Sequence, residues 1–290
     1  MAIRARWGSV THTGCVRDLN QDATLTGPTI FAVADGMGGH AAGEVASAIV
    51  VGALADAGAS GPLTDETLLD AIHGANQLIR TNAEIDPSKE GMGTTAAGVA
   101  LLEAEADRVL VFNVGDSRVY RSRRGGAVEQ VSNDHSVVGE LVRAGQLDPA
   151  DARHHRARNV ITRALGLDAV VDVDTWTFDA RATERFLICS DGLTNEVDEQ
   201  EMAAALQAPS DPQVVADELL QLALDRGARD NVSVVVVEIT EVTAGASDAE
   251  VDTNPRLVAE AIDAVPLAPV VPHPGADGDD VELITGVPFV

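Results

Sequence analysis

A succession of strand-like segments between residues 95 and 132 constrains the fold of this chain most. Segments 95–102, 108–120 and 127–132 carry Val, Leu and Ala in apolar or alternating patterns, and only short polar stretches separate them. Parallel neighbours need a crossover of about a dozen residues, whereas short connections suffice between antiparallel strands. We therefore expect antiparallel pairing. Segment 232–239 is apolar on both faces, which is typical of a strand inside a sheet.

The remaining periodicities complete an α+β pattern. Helical spacing is clearest in segment 64–84, where Leu68, Ile72 and Ile79 fall on one face. Further strands are predicted at 7–13, 30–34, 171–178 and 185–189, and further helices at 42–57, 135–144, 198–207 and 212–226. Since several strands follow one another without helices, a layered α+β sandwich is favoured over a doubly wound parallel sheet.

The charge of the chain excludes some function classes. It has 46 acidic and 20 basic residues and a net charge of −26. Non-specific binding to nucleic acid or to an anionic membrane needs a basic patch, so neither is expected. No stretch reaches the ~18 uncharged apolar residues of a membrane span, and the N-terminus lacks the apolar core of a signal peptide. We expect a cytoplasmic protein.

The composition changes after about residue 242. Residues 245–290 hold six of the twelve prolines, and a single basic residue stands among their acidic ones. Such a segment has too little apolar surface to offset the entropy of ordering. We therefore expect one folded domain over residues 1–242 and an acidic, Pro-rich, disordered tail over residues 243–290.

Four aspartates each stand at one end of an apolar run, beside a small or turn-forming residue: Asp35, Asp116, Asp191 and Asp230. Strand ends meet at the edge of a sheet, so these carboxylates can lie close together. Clustered carboxylates repel one another unless a cation lies among them. Oxygen ligands without Cys or His favour Mg²⁺ or Mn²⁺. This pattern predicts a metal-dependent hydrolase.

Six short motifs extend the pattern. They are Arg17-Asp-Leu-Asn-Gln-Asp22, Asp35-Gly-Met-Gly-Gly-His40, Gly93-Thr-Thr95, Gly115-Asp-Ser-Arg118, Ser190-Asp-Gly-Leu193 and Gly227-Ala-Arg-Asp-Asn-Val232. Each alone is a common turn signal. Their joint order and spacing resembles the metal-dependent protein phosphatase family (type 2C, PPM) in its bacterial form. The resemblance covers residues from about 7 to 240.

That resemblance implies a fold and a metal centre. The fold would be a four-layer α-β-β-α sandwich of two antiparallel sheets flanked by helices. Two Mn²⁺ or Mg²⁺ ions would lie at one end of it, with a third in bacterial members. Asp35 would bridge the two ions, Gly36 would offer its backbone carbonyl to one, and Asp191 and Asp230 would bind the other.

The resemblance also assigns three further residues. Asp116, together with Asp191, would hold the third ion, and Asp22 would lie in the outer shell and act through water. Arg17 would bind the substrate phosphate, which suits a guanidinium because its fork can bind two phosphate oxygens at once.

The implied activity is hydrolysis of phosphoserine and phosphothreonine on proteins. A metal-bridging hydroxide would attack phosphorus directly, since metal binding lowers the pKa of water towards neutrality. The partners would be phosphorylated proteins and Ser/Thr kinases, and the protein is expected to be a monomer.

One position departs from part of the family. Animal members carry a His directly after the Asp-Gly pair, proposed as the general acid, but Met37 stands there and cannot donate a proton. His40 lies near a predicted helix N-terminus, which lowers the pKa of a histidine and weakens it as an acid. A metal-bound water is the better candidate acid.

Residues 133–165 resemble the family's flap beside the active site. Its histidines, His135, His154 and His155, are predicted to be solvated. Its basic group would hold acidic phosphopeptides or the flap itself: Arg153, Arg156, Arg158 and Arg163.

Other interpretations remain open at the level of sequence. Thr94 and Thr95 are interpreted as the start of a core strand, and Asn231 as a residue that orients the backbone beside Asp230. The chain could be a phosphoprotein-binding module with little turnover. Alternatively, its substrate could be the phosphoserine of an anti-sigma-factor antagonist or a small phosphate ester.

Overall fold

The computed structural model describes residues 3–38, 42–102, 108–123, 126–152 and 154–242, and the strands within these ranges form two antiparallel sheets. The strands are β1 (Ile3–His12), β2 (Asp22–Thr26), β3 (Ile30–Met37), β4 (Gly93–Thr94), β5 (Ala96–Leu102), β6 (Arg108–Val114), β7 (Arg118–Ser122), β8 (Val128–Gln130), β9 (Asp174–Asp179), β10 (Arg185–Cys189) and β11 (Val232–Val242). The helices are α1 (Ala42–Ala59), α2 (Asp65–Ile85), α3 (Val137–Arg143), α4 (Pro149–Ala152), α5 (Asp191–Thr194), α6 (Glu199–Gln207) and α7 (Pro212–Asp225), with a 3₁₀ turn at Pro87–Lys89.

Every paired strand runs antiparallel to its neighbours. One sheet has the order β1-β11-β10-β7-β8, and the other has the order β2-β3-β5-β6-β9 with β4 pairing beside β3. The apolar strand β11 lies between β1 and β10, as its sequence predicts.

Three buried clusters separate four layers. One contains Phe31, Val111, Phe186 and Val235 and lies between the two sheets, since it draws on strands of both. A second packs α1 and α2 on the β3 sheet, and a third packs α6 and α7 on the β11 sheet. The expected α-β-β-α sandwich is confirmed.

The prediction of a single strand over residues 108–120 is wrong. This segment forms two strands that belong to different sheets. Strand β6 pairs with β5 and β9, whereas β7 pairs with β10 and β8. The chain turns between them at Gly115, which has a φ of +105°, a backbone conformation that glycine adopts readily and other residues rarely do. A Cβ there would lie 2.7 Å from Cβ of Thr95.

Strand β2 was not expected from the sequence. Four of its five residues are only half buried, so it lacks the apolar run that marks the inner strands. The predicted tail, residues 243–290, lies outside the described residues, and β11 ends at Val242.

Helix α1 alone among the described helices is long and apolar enough to cross a membrane by length and composition. Its inner face packs against the β3 sheet through Ala46, Val50 and Leu54, which are fully buried. It also carries Glu44 and Asp56. This arrangement is that of a core helix.

Candidate metal centre

Strand register brings Asp22 and Asp35 together at one end of the six-stranded sheet. They face each other across the β2–β3 pair. The hydroxyl of Ser190 donates to Asp22 Oδ2 at 2.8 Å. Because Ser190 follows β10 in the other sheet, this bond joins the two sheets at the same end.

The five-stranded sheet brings three more aspartates to that end. Cys189, the last residue of β10, pairs with the first residue of β7 and with β11. Asp191 follows β10 by two residues, Asp116 precedes β7 by two, and Asp230 precedes β11 by two. Five predicted site aspartates are therefore gathered at one end of the sandwich.

The gathered carboxylates raise one another's pKa values. Burial, followed by the charges of the other four aspartates, holds the pKa of Asp35 well above its usual range. Burial and the charges of Asp116 and Asp230 raise the pKa of Asp191 to about 8. Burial also raises the pKa of Asp22 and of Asp116 to about 6. The cluster is electrostatically unfavourable as an array of anions, so it favours the entry of cations.

The donor set fits hard divalent cations. All five side chains offer oxygen, which Mg²⁺ and Mn²⁺ prefer. Asp22 Oδ1 is buried and lacks a hydrogen-bond partner among the described residues. In the part of the chain that the structure describes, no three acidic, imidazole or thiol side chains already form a ligand shell for one ion. The cluster therefore converges in space without being closed around a single point.

Threonines hold Asp35 in place. The backbone N–H of Asp35 donates to Thr95 Oγ1 at 2.9 Å, and Thr94 Oγ1 donates to the carbonyl of Asp35 at 2.9 Å. Thr95 Oγ1 also bonds Ser117 Oγ at 2.7 Å, beside Asp116. Both threonines are fully buried, as expected for a core strand, but they also fix the backbone of a candidate ligand. The motif Gly93-Thr-Thr95 was the sequence signal for this role.

Asn231 connects the loop that carries Arg17 to the start of β11. Its Oδ1 accepts from the N–H of Gln21 at 2.8 Å, and its Nδ2 donates to the carbonyls of Thr13 and Leu19 at 2.9 and 2.8 Å. The interpretation of Asn231 as a residue that orients local backbone is confirmed.

Arg17 lies against Asp230. Its Nη2 donates to Asp230 Oδ2 at 2.7 Å, while its side chain is 55% exposed. The hydrogen bond and charge of Asp230, helped by Asp191 and Asp35, raise the pKa of the guanidinium. The guanidinium thus borders the carboxylate cluster and reaches solvent.

Gly36 is held by close backbone packing. A Cβ on Gly43, near the start of α1, would lie 2.7 Å from both the carbonyl carbon and the carbonyl oxygen of Gly36. Helix α1 therefore seats its first turn directly on the peptide whose carbonyl is the candidate ligand.

The prediction that His135 is solvated is wrong. It is 2% exposed, and its ring bonds Gly115 and Asp174. His154 is exposed as expected, whereas His155 is half buried and accepts from the N–H of Ala157.

The arginines of the flap segment, residues 133–165, lie in different environments. Arg163 is bound to Asp174 at 2.7 Å, so it holds the segment to the sheet and is not free for a peptide. Arg156 and Arg158 are exposed, and Arg153 lies outside the described residues.

A cavity of about 360 Å³ lies between the flap segment and the carboxylate cluster. Asp116, Asp191 and Asn195 line it on the cluster side. The flap side offers Val138, Val142, Pro149, Ala152 and Arg158. The cavity thus opens onto both a candidate metal site and a mixed apolar and basic wall.

Known proteins share this sequence and fold. The family model described as "Protein phosphatase 2C" matches residues 16–223. The Ser/Thr protein phosphatase PstP of Mycobacterium tuberculosis is 38% identical over 238 residues, which cover 81% of this chain and 45% of that protein. The chain therefore matches just under half the length of that relative. The Ser/Thr phosphatase stp of Listeria welshimeri is 37% identical over 239 residues, 79% of this chain and 93% of that protein.

Solved structures agree with these matches. The crystal structure of M. tuberculosis PstP superposes with a TM-score of 0.77 at 38% identity, covering 82% of this chain and 100% of that one. A PstP catalytic domain in complex with two manganese ions superposes with a TM-score of 0.74 at 36% identity, with the same coverage. With its two-sheet sandwich and its aspartates at one sheet end, this chain belongs to the protein phosphatase 2C family.

Proposed function

We propose that this chain is a metal-dependent Ser/Thr protein phosphatase. It hydrolyses phosphoserine and phosphothreonine on proteins and so reverses phosphorylation by Ser/Thr kinases. The observation that carries the proposal is the convergence of five aspartates at one end of the two sheets. The relatives named as Ser/Thr phosphatases support the same reaction. We place the protein in the cytoplasm as a monomer.

Two ions, Mn²⁺ or Mg²⁺, and a third as in bacterial members, are the proposed cofactors. Asp35, the carbonyl of Gly36, Asp191 and Asp230 would hold the two, and Asp116 with Asp191 the third. Asp22, which pairs with Asp35 across β2 and β3, would act through water. When bound, the ions lower the pKa of water towards neutrality and offset charge on phosphate oxygens. The manganese in a PstP structure supports this choice.

Arg17 is the proposed phosphate-binding residue. Its exposed guanidinium is already beside the cluster, where Asp230 holds one of its nitrogens. A guanidinium has five N–H donors, so the fork can bind two phosphate oxygens while one nitrogen stays on Asp230. That arrangement would orient phosphorus for attack.

The reaction adds water at phosphorus and breaks the ester P–O bond, and the serine or threonine oxygen then takes up a proton. Met37 has no proton to give, and His40 lies outside the described residues. Since a histidine near a helix N-terminus is a weak acid at neutral pH, we propose that a water molecule gives the proton.

The test is hydrolysis of a phosphothreonine peptide with Mn²⁺, with Mg²⁺ and with EDTA. We expect activity to require metal and Asp191→Asn to lower kcat by more than the ~10- to 100-fold typical of outer-shell changes. Asp18→Asn, at an exposed aspartate next to Arg17, is the matched control and should behave as wild type. A folded Asp191→Asn protein with full activity would contradict the site.

Substrate class needs a separate comparison. A protein phosphatase should show a higher kcat/KM on the phosphopeptide than on a small phosphate ester, because the peptide also contacts the cavity beside the flap segment. The reverse preference would favour a small-ester hydrolase. A folded chain inactive with every metal would favour a phosphoprotein-binding module.

A further inference from the structure

His135 and Gly115 form a reciprocal pair of hydrogen bonds. The N–H of Gly115 donates to His135 Nδ1 at 3.0 Å, and the N–H of His135 donates to the carbonyl of Gly115 at 3.0 Å. Asn113 Nδ2 donates to the same carbonyl at 3.0 Å. Gly115 directly precedes Asp116, so these bonds determine the backbone from which that carboxylate projects.

The other ring nitrogen of His135, Nε2, also has a partner. Because Nδ1 accepts the hydrogen bond from Gly115, the neutral ring carries its proton on Nε2, which faces Asp174 Oδ2 at 3.2 Å. Arg163 Nη1 also lies 3.0 Å from Nε2, and since the backbone N–H of Gly115 can only donate, the acceptor role stays with Nδ1. Arg163 Nη1 donates to Asp174 Oδ1 at 2.7 Å and so directs its charge at the same carboxylate. His135 is therefore held in one tautomer and one orientation, with its acceptor aimed at Gly115.

His135 also joins the two ends of the flap segment. Its carbonyl accepts from the N–H of Thr162 at 2.8 Å, and the N–H of Val137 donates to the carbonyl of Val160 at 2.9 Å. The segment that enters at 133 and the segment that leaves near 163 are thus bonded to each other at His135. The wall of the cavity and the Asp116 turn share this one anchor.

We propose that His135 is a positioning residue for Asp116: its Nδ1 acceptor holds the Gly115 peptide and thereby aims the Asp116 carboxylate at the metal site, while its backbone anchors the flap segment. This inference rests on the proposed function, since it requires that Asp116 contributes to metal binding. His135 itself contacts no metal or substrate in this role.

An isosteric pair of variants isolates the acceptor. In His135→Asn, Oδ1 can take the place of Nδ1 and accept from Gly115. His135→Leu has nearly the same shape as Asn but lacks any acceptor, and both variants lose the bond to Asp174. The matched control is His154→Leu, at an exposed histidine of the same segment.

The measurement is isothermal titration of the full chain with MnCl₂ alone, with circular dichroism to verify folding. The binding step that is absent in Asp116→Asn identifies the site concerned. We expect His135→Leu to weaken that step by about tenfold or more, and His135→Asn and His154→Leu to stay within about threefold of wild type, because outer-shell partners contribute on this scale.

Equal Mn²⁺ affinity at that step in the Leu and Asn variants, whether strong or weak, would overturn the proposal, as would an Asp116→Asn protein that lacks no binding step. If His135→Leu does not fold, His135→Asn decides: near-normal binding supports the acceptor role, and a tenfold loss overturns it. A wild-type chain that binds no Mn²⁺ would instead refute the proposed function, and this inference with it.

Discussion

The Thr95 hydroxyl holds the backbone of Asp35 by a direct hydrogen bond. It accepts from the N–H of Asp35 and bonds Ser117. Ser117 is buried and Asp35 is partly buried, so an unpaired N–H there would lose much of its access to water. A single hydroxyl thus supports both strand β3, which carries Asp35, and the turn that carries Asp116.

We predict that Thr95→Val, which keeps the shape and removes the hydroxyl, lowers the free energy of unfolding by about 1–3 kcal/mol because it leaves the Asp35 N–H unpaired. Mn²⁺ affinity should fall as well. Thr95→Ser keeps the hydroxyl and should retain Mn²⁺ affinity. Urea unfolding and calorimetric titration test this, and equal Mn²⁺ affinity in the Val and Ser variants would show that the hydroxyl does not position Asp35.

The pKa values of the clustered aspartates predict a pH dependence. Those of Asp22 and Asp116 are raised to about 6 and that of Asp191 to about 8, against about 4 in the unfolded chain. Raised carboxylate pKa values contribute stability below pH 4 that is lost as pH rises through 6 to 8. The lowered pKa of Asp174, about 2, acts only at lower pH.

We therefore expect the Tm of the metal-free chain in EDTA to fall between pH 5 and pH 8. Mn²⁺ should raise the Tm most at pH 8, because a cation binds the ionised carboxylates of the folded state. Asp191→Asn should flatten the decline. Thermal unfolding monitored by circular dichroism measures all three, and a Tm in EDTA that rises over this range would contradict the assignment.

Among the elements, helix α1 is the one that touches the site through its backbone. Its Gly43 lies against Gly36, and a Cβ there would be 2.7 Å from the Gly36 carbonyl. The same helix contains Gly52, which has no heavy atom within 4 Å of an added Cβ. One helix thus offers a tight glycine and an open one.

We predict opposite effects on stability when Gly43 and Gly52 are replaced by alanine. Gly43→Ala should destabilise the fold by about 1–3 kcal/mol through overpacking and should weaken Mn²⁺ binding at the Gly36 carbonyl. Gly52→Ala should stabilise it by about 0.5–1 kcal/mol, since alanine favours helices. Chemical denaturation compares them, and similar values for the two variants would mean that α1 does not press on Gly36.

At the scale of the whole molecule, a buried ion pair closes the sandwich at the end opposite the aspartates. Arg121 Nη2 lies 2.6 Å from Glu184 Oε1, and the guanidinium lies 3.9 Å from the ring centroid of Phe178 in the other sheet. Burial lowers the pKa of Arg121 and raises that of Glu184. Burial thus opposes the charged form of both side chains.

We predict that Glu184→Gln destabilises the chain by about 3–5 kcal/mol, because it leaves Arg121 buried without its counter-charge. The double variant Arg121→Met, Glu184→Leu should recover most of that loss. Mn²⁺ affinity should not change in either, since the pair is remote from the metal end. Denaturant unfolding separates these expectations; a Glu184→Gln protein as stable as wild type would show that the pair is dispensable.

The class of fold and the chemistry of the site follow from local features of the chain. Strand periodicity does not depend on which strands become partners, so β3, β5, β10 and β11 could be recognised locally. Aspartate next to glycine at a strand end is likewise a local feature, and Asp35 and Asp191 were recognised as candidate ligands from it.

Which segments meet depends on contacts between residues that are distant along the chain. Segment 108–120 has the pattern of one strand, yet its halves lie in different sheets. The turn between them falls at Gly115, where Thr95 leaves no room for a side chain. His135 reads as a solvated residue, yet it is buried because Gly115 and Asp174, distant in sequence, supply its partners. Long-range hydrogen bonds and close packing leave no periodic trace in the chain, so they emerge only when the sheets are assembled.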